Sequence, residues 1–248
     1  MSTDPGSVPE FGMSNQGILP PNKVGSAYES LLEAFRAAVE DANLSLSLPP
    51  RPVRNCFIQT GDATTAAFKE SLYLKGWPCR KLSGTKRLDV VINALETFAR
   101  PSWLLMKSTV YLNYFVVSNS IADLVQALHY DFVEGGQACH PFFHVQLSDE
   151  PIPEEDLRST GFDLEVRSPA RPNQCWVTTR IPTPDMTLAS VLYSLVADHL
   201  EEDTFSQFAK NVHSIQERLP SPSFDPLRKS LEQSMAHFKS SHWFAHMR

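Results

Sequence analysis

The sequence predicts an α+β protein in which an antiparallel meander sheet of about five strands is flanked by N-terminal and C-terminal helices. Apolar residues recur at helical spacing near both ends of the chain, whereas residues 103–181 are rich in aromatic and β-branched residues that alternate as in strands. Adjacent glycines, Gly135 and Gly136, separate two of these strand-like runs. A block of strands bounded by blocks of helices is typical of α+β proteins.

The first 25 residues are predicted to lie outside the domain. Residues 1–12, MSTDPGSVPEFG, look like a vector-derived leader, and residues 15–25 look like a flexible arm because they contain Pro and Gly and lack periodicity. A single domain is then expected over 26–248. Its first helix should begin at Ser26, where Glu29 completes a capping-box spacing, and end near residue 43.

Two more helices are predicted ahead of the sheet. After a short strand at 54–58, Asp62 would cap a helix that Gly76 and Pro78 close. A clearer helix is expected over 86–100, because its apolar residues follow i, i+3, i+4, i+7 spacing. These residues are Leu88, Val91, Ile92 and Leu95.

The strands of the meander are predicted at 103–117, 124–133, 139–148, 162–166 and 176–181. Residues 134–137, Glu-Gly-Gly-Gln, would form the turn between the second and third strands, since both central glycines can adopt positive φ without strain.

Residues 184–248 are predicted to form the C-terminal helical portion. Thr183 would cap the first of these helices and Pro184 would occupy its first position. Apolar residues at helical spacing then predict two further helices, over 205–219 and 227–238.

The composition of the chain disfavours some classes of binding partner. The net charge of −6 gives no general attraction to nucleic acid or anionic lipid, although the basic strip of Arg80, Lys81, Lys86 and Arg87 leaves local nucleic-acid contact open. No apolar run approaches the roughly 20 residues that span a bilayer. The four cysteines form no C-x-x-C pair, so we expect reduced thiols and no zinc motif. Because no segment resembles a signal peptide or a bilayer-spanning run, we expect a cytoplasmic location. We also expect no metal and no cofactor.

A polar face on the predicted hairpin carries the candidate chemistry. If Gly135 and Gly136 form a two-residue turn, Asp131 faces His140, and Ala127 faces His144. Because side chains alternate along a strand, one face then gathers three histidines, a carboxylate and an amide. They are His129, Asp131, His140, His144 and Gln146.

These groups support three interpretations. As a catalytic site, His140 would act as general base, Asp131 would orient it, and His129 or Arg180 would stabilise the developing negative charge on a phosphodiester. As a ligand site, His144 and Gln146 would add binding contacts. As a structural feature, the same groups would coat a half-exposed sheet or bond to a helix packed across it.

Metal ligation by this face is disfavoured. His140 and His144 would lie about 13 Å apart along one strand, which is too far for them to share an ion. One further alternative is weaker still. Asp163 and Glu165 in FDLEVR could belong to a metal-dependent nuclease, but such residues are equally typical of a solvated strand face.

Two motifs support a resemblance to a known group. Residues 140–146 read HPFFHVQ, and residues 180–186 read RIPTPDM and lead into an apolar helix. Over about residues 111–200 the chain resembles uncharacterised bacterial proteins known mainly as domains of unknown function, some of them encoded near toxin–antitoxin or phage-defence genes. The resemblance implies a bacterial intracellular origin and a defence role, and it supplies no catalytic residues.

The sequence therefore predicts a non-catalytic binding or regulatory module. Its hairpin face and C-terminal helices would contact a protein partner or recognise a small ligand, and a homo-oligomer is left open. The alternative is a hydrolase that acts on a phosphodiester through the His/Asp cluster.

Overall fold

The computed structural model describes residues 14–17, 21–47, 53–60, 64–81, 84–133, 143–148, 152–167, 180–182 and 187–220. Within these ranges the strands are β1 (Ser14–Gly17), β2 (Ser45–Ser47), β3 (Phe57–Gln59), β4 (Thr65–Lys81), β5 (Gly84–Ala99), β6 (Leu104–Ser118), β7 (Ile121–Val133), β8 (Phe143–Ser148), β9 (Glu165–Arg167) and β10 (Arg180–Pro182). The helices are α1 (Asn22–Asp41), α2 (Glu154–Ser159), α3 (Leu188–His199) and α4 (Glu202–Ile215), with 3₁₀ turns at Val53–Cys56 and Gln216–Arg218.

All ten strands belong to one sheet, in the order β1-β3-β4-β5-β6-β7-β8-β10. β2 pairs with β4 beside β3, and β9 pairs with β7 beside β8. Every pairing is antiparallel except that of β9 with β7, which is parallel. The α+β class is therefore confirmed, but the sheet is larger than the predicted five strands and β9 lies outside the meander.

The two helices predicted over 62–76 and 86–100 are wrong, because these segments form β4 and β5. Both faces of β5 are covered: Val90 and Ile92 pack in the core under the helices, and Val91 packs in a second core on the opposite face. Residues 88–94 are consequently all buried. A strand buried on both faces loses its alternation and cannot be distinguished by periodicity from a buried helix.

The N-terminal boundary also differs from the prediction. Residues 14–17 form β1, which pairs with β3, although they overlap the predicted flexible arm. Helix α1 begins at Asn22, four residues before the predicted Ser26, whose hydroxyl donates to the Lys23 carbonyl at 3.2 Å instead of capping the helix. Residues 54–56 of the predicted strand at 54–58 belong to the 3₁₀ turn at 53–56, and β3 follows it.

Near the C-terminus the described part of the chain agrees with the predicted helices. Thr187, rather than Thr183, caps α3, because its hydroxyl accepts from the Ser190 backbone N–H at 3.3 Å. Thr183 and the predicted helix over 227–238 lie outside the described residues, as do residues 1–12. No helix in the described ranges is long and apolar enough to cross a membrane.

The two faces of the sheet are covered unequally. Helices α1, α3 and α4 pack on one face, which we call the helix face, and enclose the large core there. Its largest fully buried side chains are Phe35, Phe57, Phe68, Trp77, Phe98 and Phe208.

The opposite face is covered in part by residues 152–166, which include α2 and which we call the cap. Ile152, Leu157 and Phe162 of the cap pack on a smaller apolar cluster that includes Val91 and Phe115. An ion pair between Lys69 Nζ and Asp156 Oδ1 at 2.7 Å and a hydrogen bond from the Ser47 hydroxyl to the Thr160 carbonyl at 3.0 Å also hold the cap.

Candidate functional site

The candidate site lies on the capped face of the sheet, where β7 and β8 pair as an antiparallel hairpin. In this register Asp131 lies opposite His144, and His129 lies opposite Gln146. The predicted pairing of Asp131 with His140 is therefore wrong. The described pairing runs as far as Phe132 with Phe143, a register that does not fit a two-residue turn centred on Gly135 and Gly136. His140 and the two glycines lie outside the described residues.

The observed register differs from the predicted one by four residues, since Asp131 pairs with His144 and not with His140. An odd shift would have exchanged the two faces of the strand, whereas an even shift leaves each residue on its original face. The positions of His129, Asp131, His144 and Gln146 therefore share one face, as the alternation of side chains predicted.

Following the register outward from His129 places six polar residues in one line across six strands. We call this line the polar row; it runs Ser71, Asn93, Tyr111, His129, Gln146 and Arg180. Three of the predicted site residues, His129, Gln146 and Arg180, thus occupy consecutive positions on β7, β8 and β10. Asp131 and His144 occupy the adjacent row.

The imidazole of His129 is held between neighbouring strands. Its ring stacks on Tyr111, with centroids 4.3 Å apart and planes 10° apart. Its Nε2 atom lies 3.4 Å from Asp131 Oδ1 and makes no well-aligned hydrogen bond among the described residues. The side chains of His129 and Asp131 are only 22% and 17% exposed, so the pair is recessed in the sheet face.

Asp131 is the charged centre of this group. Burial raises its pKa, but the neighbouring imidazole of His129, the hydroxyl of Thr109 and the charge of Lys107 outweigh burial, so the pKa lies below the ordinary value of 3.8. The Thr109 hydroxyl donates to Oδ1 at 2.8 Å. The carboxylate is therefore ionised at neutral pH, and its position is fixed from both β6 and β7.

Two buried asparagines lie near His129 on the same face. Asn93 belongs to the polar row, and its Nδ2 atom donates to the Ser71 hydroxyl at 2.8 Å. Asn113 lies two residues beyond Tyr111 on β6, between Val91 and Ala127 of the neighbouring strands. Asn113 is fully buried, and neither its Nδ2 nor its Oδ1 atom has a hydrogen-bond partner in the described part of the chain.

The donor set is suited to hydrogen bonding. His129 and Asp131 supply two groups that commonly bind metals, but no cluster of three or more His, Cys, Asp or Glu residues that could hold an ion occurs in the described ranges. The site offers an ionised carboxylate, an imidazole with an aromatic neighbour, and an amide with both of its functions unused.

Several site residues were missed from the sequence. Ser71 and Asn93 lie on the strands that were predicted as helices, so no face could be assigned to them. Thr109 and Asn113 could have been found, because Thr109, Tyr111 and Asn113 alternate with the buried apolar residues Val110 and Leu112 along a correctly predicted strand.

Fold and site together define a mixed α/β protein with a large, mostly antiparallel sheet and a recessed polar row on its capped face. Comparison with family models, with curated proteins and with solved structures gives no match. The resemblance to bacterial proteins encoded near defence genes therefore stays a prediction.

Proposed function

We propose that this chain is a non-catalytic binding or regulatory module and that the polar row is its recognition surface. The observation that carries the proposal is the arrangement of His129, Asp131 and Tyr111, in which an imidazole is stacked and a carboxylate is anchored before any ligand is present. Groups fixed in advance lose little conformational entropy on binding.

The depth of the row favours a small ligand over a broad protein surface. His129 and Asp131 are mostly covered, and Asn93 and Ser71 are buried. Ligand sites of small molecules are concave and mostly apolar, with a few convergent polar groups. The cap supplies the apolar part, since Leu157 and Phe162 pack beside the row. A protein partner remains a prediction from the sequence.

A place for this module in a bacterial defence or toxin–antitoxin system is part of the proposal. It rests on the motifs at 140–146 and 180–186 alone. Deleting the gene in a bacterium that encodes it and measuring the efficiency of phage plating would test this part; unchanged plating across a phage panel would oppose it.

The binding proposal is tested by a thermal-shift screen of small polar metabolites. A ligand should raise the melting temperature of the wild type, since binding to the folded state stabilises it. We expect the shift to be lost in His129→Ala and kept in Gln126→Ala, whose exposed side chain lies on the same strand and opposes Tyr114 on the helix face. A ligand that stabilises both variants equally would place binding elsewhere.

Hydrolysis of a phosphodiester is the second candidate, and the paired His129 and Asp131 favour it. In this candidate His129 is the base and Asp131, whose Oδ1 atom lies 3.4 Å from His129 Nε2, orients it. Hydrolysis of bis-p-nitrophenyl phosphate and of cyclic nucleotides should then fall at least about a hundredfold in both Asp131→Asn and His129→Ala. Equal rates for the wild type and the two variants would remove the hydrolase.

A further inference from the structure

Asn113 is the strongest unexplained feature of the capped face. Its amide offers one acceptor and two donors in a fully buried position, and both the nitrogen and the oxygen lack partners in the described ranges. Buried polar groups are almost always hydrogen-bonded, because leaving one unpaired costs its desolvation free energy. An amide kept unpaired in a folded chain therefore requires a reason.

Asn93 shows that the fold can satisfy such a group. It is buried on the same face of the adjacent strand, and its amide donates to Ser71 at 2.8 Å. The two asparagines thus differ in one respect, the presence of an internal partner. A structural role explains why an asparagine is buried at position 93, where it bonds to Ser71, but it does not explain the buried amide of Asn113.

The surroundings of Asn113 define the shape and polarity of a ligand that would complete it. Val91 and Ala127 flank it on the neighbouring strands, and Phe115, on the same strand, packs against Phe162 of the cap with ring centroids 5.0 Å apart. Beside it, Tyr111 and His129 form the half-buried stacked pair in the middle of the polar row. The setting is apolar and aromatic, so it suits a flat, uncharged group.

We propose that Asn113 recognises a nucleobase. The amide would form two hydrogen bonds with a base edge that carries a donor and an acceptor side by side, while the apolar and aromatic neighbours contact its faces. Asparagine reads adenine in this bidentate way, and flipped bases are held by such hydrogen bonds together with aromatic or apolar stacking. The inference rests on the proposed binding function and names its ligand class.

The charge of the chain selects a free base or nucleoside over a polynucleotide. A net charge of −6 opposes a long polyanion, whereas a nucleoside carries no charge. Because Asn113 is fully buried beside the cluster that the cap covers, the cap must move for a base to reach it. The Lys69 to Asp156 ion pair contributes little to holding the cap closed, since Lys69 is 39% exposed.

The first test compares two variants of the full chain without ligand. Asn113→Leu should raise the melting temperature by about 2 °C or more, since it removes an unpaired buried amide and keeps the side-chain shape. Asn93→Leu, the matched control, should lower it, because it orphans the Ser71 hydroxyl. If Asn113→Leu lowers the melting temperature as Asn93→Leu does, the amide is bonded in the folded chain and the inference is overturned.

The second test measures binding by calorimetry. Adenosine, cytidine, guanosine and uridine are the probes, and purine riboside, which lacks the exocyclic amino donor of adenosine, is the matched analogue. At least one nucleoside should bind the wild type, and Asn113→Leu should bind it about tenfold or more weakly. If adenosine is the one that binds, purine riboside should be weaker by a similar factor.

The two proposals can fail separately. No binding by any nucleoside, or equal binding by the wild type and Asn113→Leu, overturns the nucleobase inference. The broader function then still stands if another metabolite stabilises the wild type and not His129→Ala. If no metabolite shows that dependence on His129, the polar row is not the recognition surface.

Discussion

Two buried polar side chains on opposite faces of the sheet, Glu96 and Asn113, differ in their hydrogen bonding. On the helix face, Glu96 is fully buried and accepts hydrogen bonds from three elements: the Tyr28 hydroxyl of α1, the Ser108 hydroxyl of β6 at 3.1 Å and the Leu188 N–H of α3 at 2.9 Å. On the capped face, Asn113 is equally buried and has no partner in the described part of the chain. Only the first group has its partners supplied by the fold.

This difference separates a polar group with a structural role from one that we propose binds a ligand. Glu96 joins α1 and the first turn of α3 to the sheet, and the carboxylate compensates the free N–H groups at that helix start. Glu70 on the same face likewise accepts from the Cys56 thiol at 2.9 Å. Glu96 and Glu70 are therefore bonded within the fold, whereas Asn113 offers groups that a ligand could complete.

Removal of Glu96 should produce the largest effect on stability. Glu96→Ala leaves three buried donors without their acceptor, and each such group costs about 1–3 kcal/mol. We expect the free energy of unfolding to fall by about 3–5 kcal/mol in urea titrations, with loss of α1 and α3 docking.

Glu96→Gln is the matched control, because it keeps an acceptor oxygen at the same position. It should lose clearly less stability than Glu96→Ala. Wild-type stability in Glu96→Ala would show that the helix face does not depend on this carboxylate, and the contrast between the faces would break.

The sequence predicted the helices that have one solvated side: α1, α3 and α4 were located because polar residues mark their outer sides. Strand β6 was located by its aromatic and β-branched residues, although both of its faces are covered. Strands β4 and β5 were not recognised, because α1 and α3 cover one of their faces and the cap covers the other. Their hydrophobic pattern depends on tertiary packing, which a local window does not contain.

For the candidate site, the sequence predicted which residues share a face of the sheet, but it did not predict which residues lie opposite them on the neighbouring strands. Alternation along β7 places His129 and Asp131 on one side whatever the register, so that part survived a shift of four residues. The residue opposite each depends on the length of the connection between β7 and β8, which two glycines do not determine. Tyr111 and Asn93 joined the site only through strand pairing across the sheet.

Asp131 should produce an intermediate effect with a defined pH dependence. Its pKa is lowered in the folded chain, chiefly by His129 acting against burial. The unfolded state therefore binds the proton more readily, so Asp131 contributes stability above its ordinary pKa of 3.8 that is lost as the pH falls through the lowered value. Asp131→Asn should reduce stability at neutral pH by about 1–2 kcal/mol.

Urea titrations across the acidic range would measure this dependence. The curves of the wild type and Asp131→Asn should converge as the pH falls below the ordinary carboxyl range, whereas the exposed Asp163→Asn control should track the wild type. A constant difference between the wild type and Asp131→Asn at every pH would show that the variant acts through packing and not through charge.

The ion pair of the cap should produce the smallest effect, and it tests whether the capped face opens independently of the helix face. Lys69 is 39% exposed and Asp156 is 16% exposed, and solvent screening limits such a pair to about 0–1 kcal/mol. Lys69→Met removes the charge and keeps the stem, so global stability should change by less than about 1 kcal/mol. Hydrogen exchange should nevertheless become faster in residues 152–166 and stay unchanged in α1, because the cap is held by a small cluster and few polar contacts.

Lys210→Met, at an exposed position of α4, is the control and should leave hydrogen exchange in the cap unaltered. Equal loss of protection in the cap and in α1 would mean that both faces unfold as one unit, and a base could then reach Asn113 only through global opening.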